Sequence, residues 1–267
     1  MSGNSAATDA LLLYGIHTVR AALENPHRHI HWVQCTRNAA QRLESAFEAR
    51  RRLISGEGKT TRFDGPDIVE TAALDALVAA DAVHQGVVAH CDPLPGTDRA
   101  DLFDLADARL LLLLDQITDP HNVGAIMRSA VAFAADAVIT THRNSAAETS
   151  ALAKSASGAL DMIATSSVRN MGKSIETLNE IGFVSIGLDS EGPQSLEATL
   201  AETNNAPIAL VLGAEGRGLR EKTRESCVAL ARLDMPGRIR SLNVSNAAAL
   251  ALYLASSRRQ KPPSVTD

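Results

Sequence analysis

The sequence predicts an α/β protein in two parts, a small N-terminal α/β domain and a larger C-terminal domain built on a parallel β-sheet. Beyond residue 108, short apolar runs alternate with helical segments, which is typical of parallel strands covered on both faces. Before residue 96 the alternation is less regular. Between the two parts, residues 91–108 contain two prolines, a glycine and five aspartates, which predicts a linker over 96–107.

Composition excludes several classes of protein. Apolar residues make up 45% and charged residues 21% of the 267 residues, as in ordinary globular proteins. No apolar run approaches the roughly 20 residues that cross a bilayer, so we expect no membrane partner. The three cysteines (Cys35, Cys91, Cys227) are far apart and show neither a disulfide framework nor a metal-ligand spacing. We therefore expect a cytoplasmic protein without a bound metal.

The protein is acidic overall, with a formal net charge of −5 at pH 7. Residues 1–107 hold 10 Lys/Arg against 15 Asp/Glu, whereas residues 108–267 hold 16 of each. Non-specific nucleic-acid binding normally requires a basic field, so an RNA partner would have to be held by local patches. Arg50, Arg51 and Arg52 are the candidate patch in the first part.

In the first part, we expect a disordered tail over 1–12 and a folded domain over 13–95. The spacing of apolar residues predicts a helix over 15–24 and a strand over 29–35. Asn38 is the expected N-cap of a helix that runs to about Leu53. A short strand near Arg62, a helix from Pro66 and a strand over 86–90 complete this prediction.

The second part, residues 108–260, alternates more clearly. The predicted strands cover 109–114, 137–141, 162–165, 183–188, 208–212 and 228–233. The predicted helices cover 123–135, 148–157, 173–181, 219–226 and 244–259.

Three segments of the second part carry more polar and glycine residues than a scaffold needs. Residues 115–128 (DQITDPHNVGAIMR) follow a strand and open a helix, which Asn122 could cap and whose second turn carries Arg128. A surface arginine on a well-capped helix is the plainer interpretation of this segment alone. Residues 212–219 (LGAEGRGL) combine a glycine-rich turn with Glu215, but the order of the glycines is not the dinucleotide fingerprint.

The third segment, residues 233–246 (LDMPGRIRSLNVSN), indicates a functional site most clearly. It contains four side chains that form hydrogen bonds, Ser241, Asn243, Ser245 and Asn246, just before a long Ala/Leu-rich helix. A helix N-cap needs only one such residue, so three are left for another purpose.

Together, DPHNVGAIMRSA, LVLGAEGRGL and MPGRIRSLNVSNAAA resemble the three signature motifs of the SpoU/TrmH family of RNA ribose 2′-O-methyltransferases. The resemblance covers roughly residues 109–260. The first part, with YGIHTVRAALEN and HQGVVA, is similar to the L30e-like substrate-binding domain of family members, and most similar to those that methylate a guanosine of 23S rRNA. The resemblance implies the SPOUT fold, in which the C-terminal segment forms a deep trefoil knot that sequence physics would not predict.

The resemblance also implies a cofactor, a site and a partner. S-adenosylmethionine would lie within the knot, against Gly213, Leu233, Met235 and Leu242. For catalysis the resemblance implies that Arg128 is held by Asn122 and Glu215, and that the ribose is positioned by Ser241 and Asn243. Family members act as homodimers, and the helix over 247–254, apolar on more than one face, independently favours a second copy or deep burial.

Two alternatives to rRNA methylation remain open. The first is a ribose methyltransferase that acts on tRNA. The second is a catalytically inactive RNA-binding protein on the same fold. A nucleotide-binding dehydrogenase is a distant third, because its fingerprint is absent.

Overall fold

The computed structural model describes residues 11–55, 63–94, 105, 107–239 and 241–260. The chain forms two compact units. The first comprises Met1–Pro95 together with Glu148–Met162, and the second comprises Gly96–Ala147 together with Ile163–Asp267. Among the described residues, no helix has both the length and the apolar character needed to cross a bilayer.

The helices and strands follow one another in this order: β1 (Leu11–Tyr14), α1 (Ile16–Glu24), β2 (Ile30–Cys35), α2 (Arg37–Arg42), α3 (Glu44–Ile54), β3 (Asp67–Ile68), α4 (Thr71–Asp75), β4 (Val87–Cys91), β5 (Leu110–Asp115), α5 (Pro120–Ala132), β6 (Ala137–Thr141), α6 (Ser150–Ala156), a 3₁₀ turn (Ala159–Asp161), β7 (Ala164–Val168), α7 (Met171–Glu180), β8 (Val184–Leu188), β9 (Gln194–Ser195), α8 (Leu196–Ala201), β10 (Ile208–Gly213), α9 (Glu221–Ser226), β11 (Ala229–Arg232) and α10 (Val244–Gln260).

The first unit contains a four-stranded sheet of order β1-β4-β2-β3. Strands β1 and β2 run antiparallel to β4, and β3 runs parallel to β2. The disordered tail predicted over 1–12 was wrong for its last two residues. Leu11 and Leu12 belong to β1 and pair with Cys91 and His90. The other predicted tail residues lie outside the described part of the chain.

Three further predictions for the first unit need correction. Thr36, and not Asn38, caps the helix after β2, since its Oγ1 accepts a hydrogen bond from the backbone of Ala39 at 3.3 Å. That helix is broken at Leu43, where φ and ψ are −107° and 6°, so α2 and α3 replace one long helix. Arg62 lies outside the described residues, and the helix expected from Pro66 begins at Thr71.

Buried arginines tie the first unit together. Arg28 is 1% exposed, and its guanidinium donates to both carboxylate oxygens of Asp161, at 2.8 and 3.0 Å, and to Glu148 at 2.5 Å. Burial lowers the pKa of Arg28, but the two carboxylates more than offset this effect and raise it. Because Glu148 and Asp161 follow β6 in the chain, these ion pairs explain why residues 148–162 belong to the first unit.

The predicted basic patch of Arg50, Arg51 and Arg52 is only partly exposed. Arg50 is 4% exposed, and its guanidinium donates to the backbone oxygens of Asn25 and Arg28 at 3.0 and 2.7 Å. The side chain therefore stabilises the fold by satisfying buried carbonyl groups. Arg51 and Arg52 are exposed, and Arg52 pairs with Glu48 at 3.4 Å.

The second unit is built on a seven-stranded parallel sheet of order β7-β6-β5-β10-β8-β11-β9. All six residues of β5 are buried, which explains their continuous apolar pattern. Leu111, Leu113, Ile139 and Val211 pack with Ile175 of α7 in one core cluster. The predicted parallel α/β fold is confirmed, whereas the knot stays a prediction.

The predicted elements of this unit agree with the structure apart from their ends and two omissions. The strand expected over 162–165 lies at Ala164–Val168. Strand β9 has only two residues and α8 only six, so neither gives a periodic pattern long enough to recognise. Because every strand is parallel, the segments that follow β5, β6, β7 and β10 all emerge at one edge of the sheet.

Candidate active site

Asn122 faces the interior from the first turn of α5. The helix cap is Asp119, whose carboxylate accepts a hydrogen bond from the backbone of His121 at 3.0 Å, and Pro120 occupies the first helical position. The prediction that Asn122 caps this helix was therefore wrong. Since Asp119 supplies the cap, the side chain of Asn122, 9% exposed, is available for other contacts.

Asn122, Glu215 and Asn243 form one hydrogen-bonded network. Asn243 Nδ2 donates to Asn122 Oδ1 at 3.0 Å and to Glu215 Oε1 at 3.1 Å, and Asn122 Nδ2 donates to Glu215 Oε2 at 3.4 Å. The network joins α5, the loop after β10 and the residue just before α10. These are the three segments that the sequence singled out, and they are separated by up to 121 positions.

Asn243 is held from its other side by α10. Its Oδ1 accepts hydrogen bonds from the backbone N–H and the hydroxyl of Ser245, at 2.9 and 2.6 Å. The first of these bonds is that of a helix-capping residue. One side chain therefore begins α10 and orients the carboxylate of Glu215.

The loop after β10 presents Glu215 because its glycines permit a tight turn. Gly218 donates its backbone N–H to Ala214 at 2.8 Å, and its φ is +65°. A Cβ atom placed on Gly213 would lie 2.1 Å from the carbonyl carbon of Gly218. Any side chain at Gly213 would thus open the turn and displace Glu215.

Arg128 and Ser241 lie apart from this network. Both are exposed, and neither side chain forms a hydrogen bond or ion pair with another described residue. Arg128 follows Asn122 by six positions, which places it about 120° around the helix from Asn122 at 100° per residue. In this structure, therefore, Asn122 and Glu215 hold Asn243 and not the guanidinium of Arg128.

A cavity of about 510 Å³ lies over the network. Its walls include Asn122, Glu215, Asp119, Asn144 and Arg217. A volume of this size is typical of small-molecule and substrate sites. The cavity therefore offers amide groups and charges of both signs at the carboxyl edge of the sheet.

Two of the four residues expected to hold S-adenosylmethionine lie at the ends of strands in the same half of the sheet. Gly213 ends β10 and Leu233 directly follows β11, and these two strands flank β8. Met235 is half-buried and Leu242 is 38% exposed. The partly exposed apolar side chains of Met235 and Leu242 fit a ligand with a flat ring.

One cluster of possible metal ligands was missed by sequence spacing. Asp92 Oδ2 lies 2.7 Å from His29 Nδ1, and Asp92 Oδ1 lies 2.7 Å from His31 Nε2. These atoms lie within 4.8 Å of one another. They meet because β2 and β4 pair, and the backbone N–H of Asp92 donates to the carbonyl oxygen of His29 at 3.0 Å. The sequence alone does not reveal this cluster, because His31 and Asp92 are 61 positions apart.

Sequence reasoning also missed Asp119, Asn144 and Arg217 as parts of the candidate site. Asn144 lies in the loop after β6, at the same edge of the sheet as the loop after β5. The rule that ligands bind beyond the carboxyl ends of parallel strands would have indicated this loop.

Comparison with known proteins identifies relatives along nearly the whole chain. Residues 109–253 match the SpoU rRNA Methylase family. The 23S rRNA (guanosine-2′-O-)-methyltransferase RlmB of Pseudomonas putida is 34% identical over 255 residues, covering 93% of this chain and 96% of the relative. The protein of the same name from Xylella fastidiosa strain Temecula1 is 38% identical over 253 residues, covering 92% and 96%.

Solved structures agree with the sequence comparisons. The SpoU methyltransferase AviRb from Streptomyces viridochromogenes, in complex with AdoMet, superposes with a TM-score of 0.70 at 25% identity, covering 96% of this chain and 94% of that one. An AdoMet-bound rRNA methyltransferase from Sinorhizobium meliloti has the same fold, with a TM-score of 0.71 at 20% identity and coverage of 96% and 89%. The family match covers more than half of the chain and the relatives exceed 30% identity, so this protein belongs to the SpoU rRNA Methylase family.

Proposed function

We propose that this chain transfers the methyl group of S-adenosylmethionine to the 2′-hydroxyl of a ribose in RNA, most specifically of a guanosine in 23S rRNA. Family membership and the AdoMet complex of AviRb support the reaction and its cofactor. The RlmB relatives, aligned over nearly their full length, support the substrate.

The network of Asn122, Glu215 and Asn243 is the observation that carries this proposal. It fixes three polar side chains from distant segments around a cavity, with an oriented carboxylate between two amides. Side chains locked by mutual hydrogen bonds cost no reorganisation when substrate binds, which is how a preorganised site lowers a barrier.

The reaction requires the 2′-hydroxyl to pass its proton to a base or to solvent water as the new C–O bond forms. When bound, S-adenosylmethionine supplies a methyl group on a positively charged sulfur, which accepts the electron pair of the broken C–S bond. Arg128 carries a guanidinium that scarcely deprotonates, so its role is to stabilise the developing alkoxide and the adjacent phosphate. Ser241 and Asn243 position the ribose.

Gly213, Leu233, Met235 and Leu242 would hold the cofactor. The places of Gly213 at the end of β10 and of Leu233 and Met235 after β11 support this assignment. The first unit, with its resemblance to an L30e-like domain, would bind the RNA substrate. The setting for rRNA methylation is the bacterial cytoplasm.

The working form would be a homodimer. Ala248, Ala251 and Leu252 of α10 are buried, whereas Leu250 and Tyr253 on the same helix are 47% and 55% exposed. Helix α10 packs on α5, which carries the exposed Arg128, and Tyr253 meets Phe133 edge-on at 5.9 Å. A second copy docked on this face would cover the apolar side chains and bring new groups near Arg128.

Mapping of ribose methylation tests the reaction and the substrate together. Total RNA from a strain that lacks this gene would be incubated with the purified protein and S-adenosylmethionine, then digested and analysed by mass spectrometry. The expected product is one new 2′-O-methylguanosine in 23S rRNA. A new methyl group in tRNA would show that tRNA, and not 23S rRNA, is the substrate. Cofactor binding without methylation of any RNA would indicate an inactive RNA-binding protein.

A further inference from the structure

A second cavity, of about 550 Å³, lies beside the candidate active site at the carboxyl ends of β5, β6 and β7. Its walls include Thr141, Arg143, Arg169 and Arg220. It lies wholly within the second unit. Neither the sequence motifs nor the proposed transfer of the methyl group uses any of these residues.

The walls of this cavity are positively charged. Among the described residues, three arginines line it and no Asp or Glu does. Arg143 and Arg169 are exposed, and their guanidinium groups form no hydrogen bond or ion pair with other residues in the described part of the chain. Since arginine keeps its charge at neutral pH, both remain available to an anion.

The guanidinium of Arg220 is held in place by a buried carboxylate. Asp115, the last residue of β5, is 1% exposed, and its Oδ1 lies 2.6 Å from Nη2 and 2.9 Å from Nε of Arg220. The buried carboxylate fixes the orientation of this guanidinium at the rim of the cavity. Arg220 thus shapes the wall, while Arg143 and Arg169 provide most of the uncompensated charge.

Thr141 provides independent evidence that the cavity receives a polar ligand. The residue is 4% exposed, and its Oγ1 is buried without a hydrogen-bond partner among the described residues. Buried hydroxyl groups in folded proteins are nearly always paired. Thr141 lines the cavity, and rotation of its side chain would turn this hydroxyl toward a ligand oxygen there.

The two cavities adjoin one another. Gln116 and Asn144 line both of them. A chain molecule that places one group over Asn122 and Glu215 can therefore continue past Gln116 into the arginine-lined cavity. Phosphate groups of a polynucleotide match guanidinium and hydroxyl donors in both charge and geometry.

We infer that the cavity of Arg143, Arg169 and Thr141 binds a phosphodiester group of the substrate RNA, next to the nucleotide at the active site. The inference rests on the proposed function for the identity of the chain molecule. It also explains how an acidic protein can hold RNA, because a few arginines concentrated beside the reacting ribose replace a general basic surface.

The experiment compares the double variant Arg143→Ala/Arg169→Ala with the wild type and with a matched control, Arg109→Ala/Arg258→Ala. The control removes two arginines of the second unit that line a different cavity, at the amino ends of β5 and β10. Binding of unmethylated 23S rRNA made by transcription is measured over a range of salt concentrations, and S-adenosylmethionine binding is measured separately. Thr141→Val, which keeps the side-chain shape, tests the hydroxyl alone.

For the cavity variant we expect weaker RNA binding, by about 10-fold or more at moderate salt, and a salt dependence reduced by about two charges. Cofactor binding should not change, and the control should bind RNA as the wild type does. In turnover, KM for RNA should rise while kcat changes little. Thr141→Val should weaken RNA binding by a smaller factor.

Inorganic phosphate and GTP distinguish the source of the phosphate. Saturable binding of either one at low millimolar concentration that is lost in the Arg143→Ala/Arg169→Ala variant, while RNA affinity and its salt dependence stay unchanged in that variant, would assign the cavity to a free anion or nucleotide and overturn the inference. Unchanged affinity and salt dependence in the cavity variant would overturn it as well. Because these are binding measurements, they remain decisive even if no RNA is methylated, which would instead refute the proposed function.

Discussion

Asn243 joins the start of the last helix to the carboxylate of the β10 loop, since its Nδ2 lies 3.1 Å from Oε1 of Glu215 while its Oδ1 accepts the backbone N–H of Ser245 at 2.9 Å. The two residues are 28 positions apart, and both remain exposed. Any movement of α10 is therefore transmitted to the carboxylate at the centre of the candidate site.

Glu215→Gln should reduce methylation by about 10- to 100-fold, because a hydrogen bond to a charged group contributes about 1.5–3 kcal/mol. The amide keeps the size of the carboxylate but loses its charge and one acceptor. Single-turnover methylation is the measurement. Glu225→Gln, an exposed change on α9, is the control, and equal rates for both variants would refute a role for the carboxylate.

Arg128→Lys should abolish methylation while S-adenosylmethionine binding survives. Lysine keeps the charge but loses the planar array of donors that can contact alkoxide and phosphate together. Calorimetric titration of the cofactor and methylation by mass spectrometry are measured on the same preparation. Arg37→Lys on α2 serves as the control, and wild-type turnover in Arg128→Lys would contradict the assignment.

Leu250→Asp/Tyr253→Asp should convert a dimer into monomers. Full burial of one such side chain contributes about 1.5–3 kcal/mol, and a charge in its place opposes association further. Light scattering coupled to size-exclusion chromatography gives the mass, and circular dichroism checks the fold. Val83→Asp, at a residue 64% exposed in the first unit, is the control. A wild type that is already monomeric would refute the dimer.

Asp161→Asn should lower the free energy of unfolding by about 3–5 kcal/mol, the cost of removing one partner of a buried ion pair. Arg28, 1% exposed, would retain its charge with only Glu148 to compensate it. Urea denaturation monitored by the single tryptophan, Trp32, reports on this unit. Asp81→Asn on an exposed turn should change stability little.

Titration of His90 should lower the free energy of unfolding of the first unit when the pH is lowered mildly. Burial, and then the nearby His31, lower the pKa of His90 below its usual 6.5, while Asp92 opposes them. Between the lowered value and about 6.5 the unfolded chain binds more protons than the folded one, so stability falls as the pH decreases through this window.

His90→Gln tests this titration. Urea unfolding at a series of pH values should show a shallower loss of stability below pH about 6.5 than in the wild type. His27→Gln, at an exposed histidine of the same unit, should follow the wild-type profile. Asp92 acts at lower pH, because its hydrogen bonds from His31 and His29 lower the pKa of this carboxyl, and its contribution is lost only as the pH falls further. Identical slopes for His90→Gln and the wild type would exclude His90 as the source.

The family and the parallel sheet could be predicted because both depend on local patterns. Continuous apolar runs such as β5 occur where both faces of a strand are covered, and the three motifs follow strand ends whatever the rest of the chain does. Family membership and the α/β fold were confirmed, and the roles assigned to individual residues stay predictions. The helix caps were wrong at Asn38 and Asn122 because Thr36 and Asp119 can cap equally well, and only the fold decides between such neighbours.

By itself, then, the sequence determined the fold class, the family and the segments that meet at the site, since these follow from periodicity and from motifs. The tertiary structure alone decided which side chains pair across long separations. Asn122 bonds to Asn243 over 121 positions, and Arg28 is buried against Asp161 over 133. Such pairs carry no signal in a single sequence, because what brings them together is the closure of long loops in a packed fold, which no local pattern encodes.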